Sequence, residues 1–297
     1  MSNPPRTWPR AWPNGKRIAV SVTVMFEAWS EDKAPNYSVQ TTSLKKDTVD
    51  HAAKAWATYG GRVGVWRLIR MLDRHQIPGT FFTNARCTEL YPDAVKQIVR
   101  SGHNVAGHSY THDRVLSYMT PDEQRATIRQ SVDMLQDCTA KTVTGWGSPV
   151  VAFTPETAGL LVQEGLWWHT DVTYVDLPHK VHTPYGVIAG VPTTDFSDNR
   201  VLRASTRDLM DVHRGTFDYL MQHEPMGLLV LVLHCQFGGR PLVTAVIEEL
   251  LSYMERSNDV WWARHEELGR WALDQDHDEL TYARRYFNAP DMARSAP

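Results

Sequence analysis

The chain has 297 residues, with 31 Lys and Arg against 34 Asp and Glu and a net charge of −3. That balance speaks against a nucleic-acid binder, which carries a net basic charge or a basic stripe. At 42% hydrophobic and 22% charged residues the composition is that of a folded globular protein, so intrinsic disorder is excluded for the bulk of the chain. No segment reaches the roughly 18 unbroken apolar residues of a membrane helix. Met1 to Arg17 lacks the apolar centre of a secretory signal. Cys87, Cys138 and Cys235 are odd in number and form no CxxC pair, so a disulfide framework is not expected and a cytoplasmic location is.

In chain order, Arg17 to Met25 reads as a Val- and Ile-rich strand. Glu31 to Ala57 is polar and lacks clear periodicity, which predicts a long excursion over a site mouth or a subunit contact. Val65, Leu68, Ile69 and Leu72 mark a helix stripe, and Gly79 to Thr83 the next strand. Tyr91-Pro92-Asp93 opens a helix that Gly102 stops. Asn104 to Gly107 is a short strand, and Thr120-Pro121-Asp122-Glu123 is a capping-box start. A further helix runs from Thr154-Pro155-Glu156 to Gly165. Leu166 to Asp171, Gly186 to Val191 and Leu228 to His234 read as strands, Leu242 to Met254 as a helix, and Val260 to Trp262 as a last strand. This alternation predicts a single α/β domain over 1–275, with parallel strands in a closed or nearly closed barrel, and a polar extension over 276–297. No Gly-rich phosphate fingerprint follows the first strand, which argues against a dinucleotide fold.

Active sites of parallel barrels sit at the C-terminal strand ends, and polar residues at those positions are the candidates. His108 and His112 have the i, i+4 spacing that, on a helical turn, puts both imidazoles within reach of one metal ion; the alternative is two surface or capping histidines. Glu27 ends an apolar strand, where a carboxylate is costly unless paired or functional. It reads as a third metal ligand or as a general base, or it turns out to solvent. His234 follows an apolar strand and is either a hydrogen-bonded core histidine or a proton donor to a leaving group. Arg240 in a Gly-Gly-Arg-Pro turn pins a loop or pairs with Asp171 or Asp176.

Together these residues resemble the polysaccharide deacetylase superfamily, and within it the allantoinase-like and cyclic-imide-hydrolase-like branch. The carrying segments are WPNGKRIAV, YGGRVGVWRL, GTFF, GHNVAGHSYTHDR, DVTYVDLP, VPTTDFSDN, LHCQFGGRP and DVWWARHEELGRW, spanning about Trp12 to Trp271. The resemblance implies a distorted (β/α) barrel of the deacetylase type. It also implies a hydrolase of non-peptide C–N bonds that opens a small cyclic amide or imide. A divalent ion, zinc foremost, would be held by Glu27, His108 and His112, with Glu27 and His234 as catalytic groups. Trp29, Trp146, Pro149 and Tyr174 would wall the substrate. The implied partners are a small-molecule substrate and further copies of the chain in a dimer or tetramer, with no nucleic acid and no membrane.

The chain departs from the family pattern in three places. Met25-Phe26-Glu27-Ala28 holds one carboxylate where the deacetylase motif has two. Gly147 stands where an arginine is usual, and His234-Cys235-Gln236 lacks a second histidine. These departures keep three alternatives open: an N-deacetylase of an acetylated sugar or amine, a metal-free cyclic amidase with Glu27 as base, and a catalytically dead binding module.

Overall fold

The structure, a computed structural model, describes residues 9–35, 37–40, 44–45, 48–202, 205–275 and 282–287. Its centre is β1 (Ile18–Phe26), an almost wholly buried run of Val, Ile and Ala. Such a continuous apolar run is what a strand covered on both faces requires. The chain leaves β1 through an irregular segment and forms α1 (His51–Tyr59), started by an Asp50 cap that accepts from the Ala53 N–H. A π-helical turn at Gly60–Gly64 joins α1 to α2 (Val65–His75). Then follow β2 (Gly79–Thr83), α3 (Cys87–Leu90), α4 (Pro92–Arg100) and β3 (Asn104–Gly107). After α5 (Pro121–Thr139), opened by the Thr120–Glu123 capping box, come β4 (Gly145–Trp146), α6 (Thr157–Gln163) and β5 (Trp168–His169). β6 (His179–Thr183), β7 (Gly186–Gly190), α7 (Asp198–Val201) and α8 (Thr206–His223) lead to β8 (Gly227–His234). The chain ends with α9 (Pro241–Met254), β9 (Val260–Trp262), α10 (His265–Leu273) and α11 (Tyr282–Phe287).

The sheet order is β6-β7-β5-β4-β3-β2-β1-β8, with β9 also pairing β1. It is a curled half-barrel wrapped in helices, a distorted (β/α) barrel. Register decides what happens at its rim. Phe26 lies beside Thr83, Thr83 beside Gly107, and Gly107 beside Trp146. On the other flank Met25 lies beside His234. Glu27, Asn84, His108 and Gly147 therefore all leave the sheet one step past a common row.

The structure corrects the sequence reading in three places and narrows it in a fourth. The strand set is not all parallel: β6 and β7 form an antiparallel hairpin, and polar, half-exposed β6 carries no strand-like alternation. Of the closed and nearly closed barrels expected, only the unclosed form stands, because β8 and β6 end the pairing path among the described residues. The excursion read through Ala57 becomes helix at His51, where Ala-rich sequence supplies propensity and only Ala53 and Trp56 are buried to reveal it. Helices α8 and α10 occupy stretches where none was anticipated. Most of the 276–297 extension lies outside the described residues. Within it α11 is tied down by Arg285, whose Nη2 donates to the Met226 carbonyl at 2.9 Å.

Two contacts give measurable consequences. A Cβ on Gly64 would lie 1.9 Å from the Cys235 carbonyl oxygen, beside the strand end that carries His234. Gly64→Ala is expected to lower the unfolding free energy by about 3 kcal/mol, read from urea midpoints. Burial also lowers the pKa of His265 to about 3 and of His169 and His213 to about 4, from an ordinary 6.5. The unfolded chain binds these protons first, so stability is full above pH 6.5 and falls as the pH drops toward 4. Urea midpoints should follow that slope, and His265→Gln should make it shallower.

Candidate active site

Glu27 is 2% exposed at the rim, and three imidazoles face it. Its Oε1 lies 3.1 Å from His112 Nδ1, 3.7 Å from His234 Nε2 and 3.9 Å from His108 Nε2. The Tyr37 hydroxyl donates to Oε2 at 2.5 Å. Burial works against the charge on Glu27, but His112, His234, His108 and the Tyr37 hydrogen bond outweigh it and hold the carboxyl below its ordinary value.

His108 and His112 converge, though not by the helical geometry that their spacing suggests. Residues 108–113 form a loop, with Ser109 in the left-handed region at φ 65°. Two bonds fold it back on the first strand end. The His112 N–H donates to the Ala28 carbonyl at 2.8 Å. Asn84 accepts from the Ala28 N–H at 2.9 Å and donates through Nδ2 to the His108 carbonyl. His108 Nδ1 lies 2.6 Å from the Gly147 carbonyl, which can only accept, so the proton sits on Nδ1 and Nε2 keeps its lone pair. Burial, followed by the neighbouring His112, lowers the His108 pKa to about 4 and keeps the ring neutral.

These residues fit a divalent ion. One ligand atom each from Glu27, His108 and His112 lies within 4.8 Å of the others, and all three residues are buried. His108 Nε2 and His112 Nδ1 are buried and make no hydrogen bond. Two imidazole nitrogens and a carboxylate suit zinc and similar ions, and three protein ligands leave a position open.

His234 is held from its far side by Asp198, a residue that the sequence reading missed. Nδ1 lies 2.6 Å from Asp198 Oδ1, while Oδ2 accepts the backbone N–H of His234 at 2.8 Å and of Gly238 at 2.9 Å. Burial disfavours the charged ring, yet Asp198 and then Glu27 outweigh it and raise the His234 pKa. Nothing in the spacing joins Asp198 to a histidine 36 residues away. Tyr37 was hidden in the aperiodic excursion.

The remaining candidates scatter. Trp29 stands at the site, with its ring 5.4 Å from His112 and 6.0 Å from Tyr37. Trp146 is fully buried below it, donating to Ser148 Oγ at 3.1 Å, and is not on the cavity wall. Pro149 is buried and leaves the wall to Ser148, Val150 and Val151. Tyr174 is 64% exposed and bonded to His179, away from the cavity. Asp171 accepts from the backbone and hydroxyl of Ser148 at 2.8 and 2.7 Å; burial pushes its pKa up to about 6 in spite of these bonds. Asp176 is exposed. Arg240 pairs with neither acid: its guanidinium stacks 3.6 Å over the Tyr59 ring, and Nε donates to the Gln236 carbonyl.

The cavity above the imidazoles is small, about 140 Å³, and Met25, Val150, Val151 and Val232 give it an apolar lining. Thr193, Asn199 and Arg200 complete the opposite wall. Val150 and Val151 have φ of 52° and 56°, a left-handed conformation that is costly for β-branched residues and that commonly marks functional loops.

A curled α/β half-barrel with a buried carboxylate–imidazole cluster at its carboxyl-terminal rim defines a class of hydrolytic domain. Residues 48–166 match the polysaccharide deacetylase family. A peptidoglycan deacetylase of Helicobacter pylori is 22% identical over 71% of this chain and 84% of its own length. A solved structure from Pseudomonas aeruginosa, described as a probable polysaccharide deacetylase, is 24% identical. It superposes with a TM-score of 0.82 over 93% of this chain and 97% of its own. A PuuE allantoinase structure is 25% identical, with a TM-score of 0.79 over 93% of this chain and 96% of its own.

The clamp on His234 can be read directly. Asp198→Asn is expected to lower the His234 imidazole pKa, measured by NMR titration, because the largest group favouring its charge is removed. An unchanged titration would show that Asp198 does not set the charge of His234.

Proposed function

We propose that the protein is a metal-dependent hydrolase of non-peptide C–N bonds that opens a small cyclic amide or imide. The observation that carries this reading is the buried Glu27 carboxylate faced by His108, His112 and His234, with His234 backed by Asp198. Glu27 Oε1, His108 Nε2 and His112 Nδ1 are the atoms to hold a zinc-type ion. Such an ion, when bound, supplies Lewis acidity at the scissile carbonyl and eases deprotonation of water.

The chain's own groups supply the rest. A carboxyl held below its ordinary pKa is a poor base at neutral pH, which favours Glu27 as ligand over Glu27 as base. Tyr37 fixes the second carboxylate oxygen and so the orientation of the first. His234 keeps one proton between Nδ1 and Asp198 and presents Nε2 to the cavity. Its raised pKa favours the protonated ring, the form that donates to the departing nitrogen. The four apolar lining residues hold a flat ring and keep water out.

Cavity size supports a small substrate: about 140 Å³ takes a single small ring. The Helicobacter relative, named a peptidoglycan deacetylase, favours the second reading, an N-deacetylase of an acetylated sugar or amine. The PuuE allantoinase supports the first. The reading extends to a cytoplasmic homo-oligomer, a dimer or tetramer. All three cysteines are free thiols, as a reducing compartment keeps them. No described helix is long and apolar enough to cross a membrane.

A panel of succinimide, hydantoin, dihydrouracil, allantoin and N-acetylated sugars separates the two readings. Turnover of a cyclic amide is expected, with loss of activity on chelation and recovery on adding zinc. Glu27→Ala and His108→Ala should each abolish turnover and remove the ion found by elemental analysis. Chelated protein that keeps full activity would refute metal dependence. Asp198→Asn should move the alkaline limb of the kcat/KM profile to lower pH, since His234 then loses its proton sooner.

A further inference from the structure

Glu27 walls a second cavity as well. This one, about 380 Å³, lies beside α1 and shares only Glu27 with the cavity above the imidazoles. Arg86, Lys54 and Lys33 line it. Arg86 Nε is buried without a hydrogen-bond partner. None of the ion pairs among the described residues includes Arg86. Lys54 Nζ donates to the backbone carbonyl of Glu31, a neutral partner, and its charge also reaches the exposed Asp32. Lys33 is paired with Asp32 at 3.3 Å, and both are well exposed.

The acids nearby do not cancel these charges. Glu27 is committed to its imidazoles and Tyr37. Glu31 is exposed and forms no ion pair among the described residues. A half-buried guanidinium with an unmet N–H is a costly arrangement for the free protein, and an arriving anion restores both the hydrogen bond and the charge balance. The apolar part of the lining is Ala28, Trp29, Ala55, Ala57, Leu90 and the ring of Tyr91, beside the polar Ser30, His51 and Thr58.

We infer that this cavity binds a small organic carboxylate, with its oxygens on Arg86 and Lys54 and its apolar stem against Trp29 and Leu90. A planar carboxylate matches the guanidinium fork, and the stem uses the apolar walls that a bare inorganic anion would leave empty. The biological role rests on the hydrolase reading above. It narrows the substrate to an amide or imide that carries a carboxylate away from its scissile bond, held in the second cavity while the ring lies in the first.

Calorimetric titration of wild-type and His108→Ala protein with benzoate, benzamide and inorganic phosphate tests the site without any turnover. Benzoate is expected to bind about tenfold tighter than benzamide in both proteins, because the anchor is not the imidazole cluster. Arg86→Gln and Lys54→Gln should each weaken benzoate about fivefold or more and leave benzamide unchanged. Lys54→Gln, on the helix surface, reads the site even if Arg86→Gln does not fold. Equal affinity for benzoate and benzamide overturns the proposal, as does benzoate affinity unaltered by the substitutions. Loss of benzoate binding in His108→Ala would put the anion at the imidazoles and overturn it as well. Phosphate binding tighter than benzoate would overturn the carboxylate assignment. Failure of the hydrolase reading shows separately, as absent turnover across the amide panel with these affinities intact.

Discussion

The site depends on keeping one carboxylate ionised where water cannot reach it. An isolated buried carboxylate would neutralise itself by a raised pKa. Glu27 goes the other way because the fold brings three imidazoles and a phenol to its two oxygens. No one element supplies these partners. Their meeting follows from the register of parallel strands, which ends β1, β2, β3 and β8 at nearly one level. A slip of one residue would turn every rim side chain to the opposite face.

Asn84 and Asp198 do related work in different places. Asn84 stitches the loop that bears both histidines to the end of β1, so the candidate ligands move as one body. Asp198 takes three hydrogen bonds from the end of β8, which fixes the ring of His234 and its charge together. Both residues are fully buried, and neither touches the space where a substrate would lie.

Much of this was legible in the chain. The apolar runs of β1, β2 and β8, the Thr120 capping box and the glycine stops at Gly102 and Gly165 are local signals, and local signals survive translation into structure. Glu27, His108, His112 and His234 could be singled out because a polar residue at the end of an apolar strand is costly enough to need a reason. The spacing of His108 and His112 drew attention for a geometric reason that the loop does not obey. Tyr37 and Asp198 were illegible because their partners lie across the fold, in segments without period. Trp146 and Tyr174 show the converse failure: aromatic identity says nothing about whether a ring ends in the interior or in solvent.

The unclosed seam between β8 and the β6–β7 hairpin bears on how such a pocket changes over time. Thr193, Asn199 and Arg200 come from the chain that follows β7, and they wall the cavity without belonging to any ladder. Side-chain identity at these three positions can drift while every interstrand bond stays in place. Asp198 sits in the same segment and holds His234, so the wall can exchange its side chains only around that fixed point.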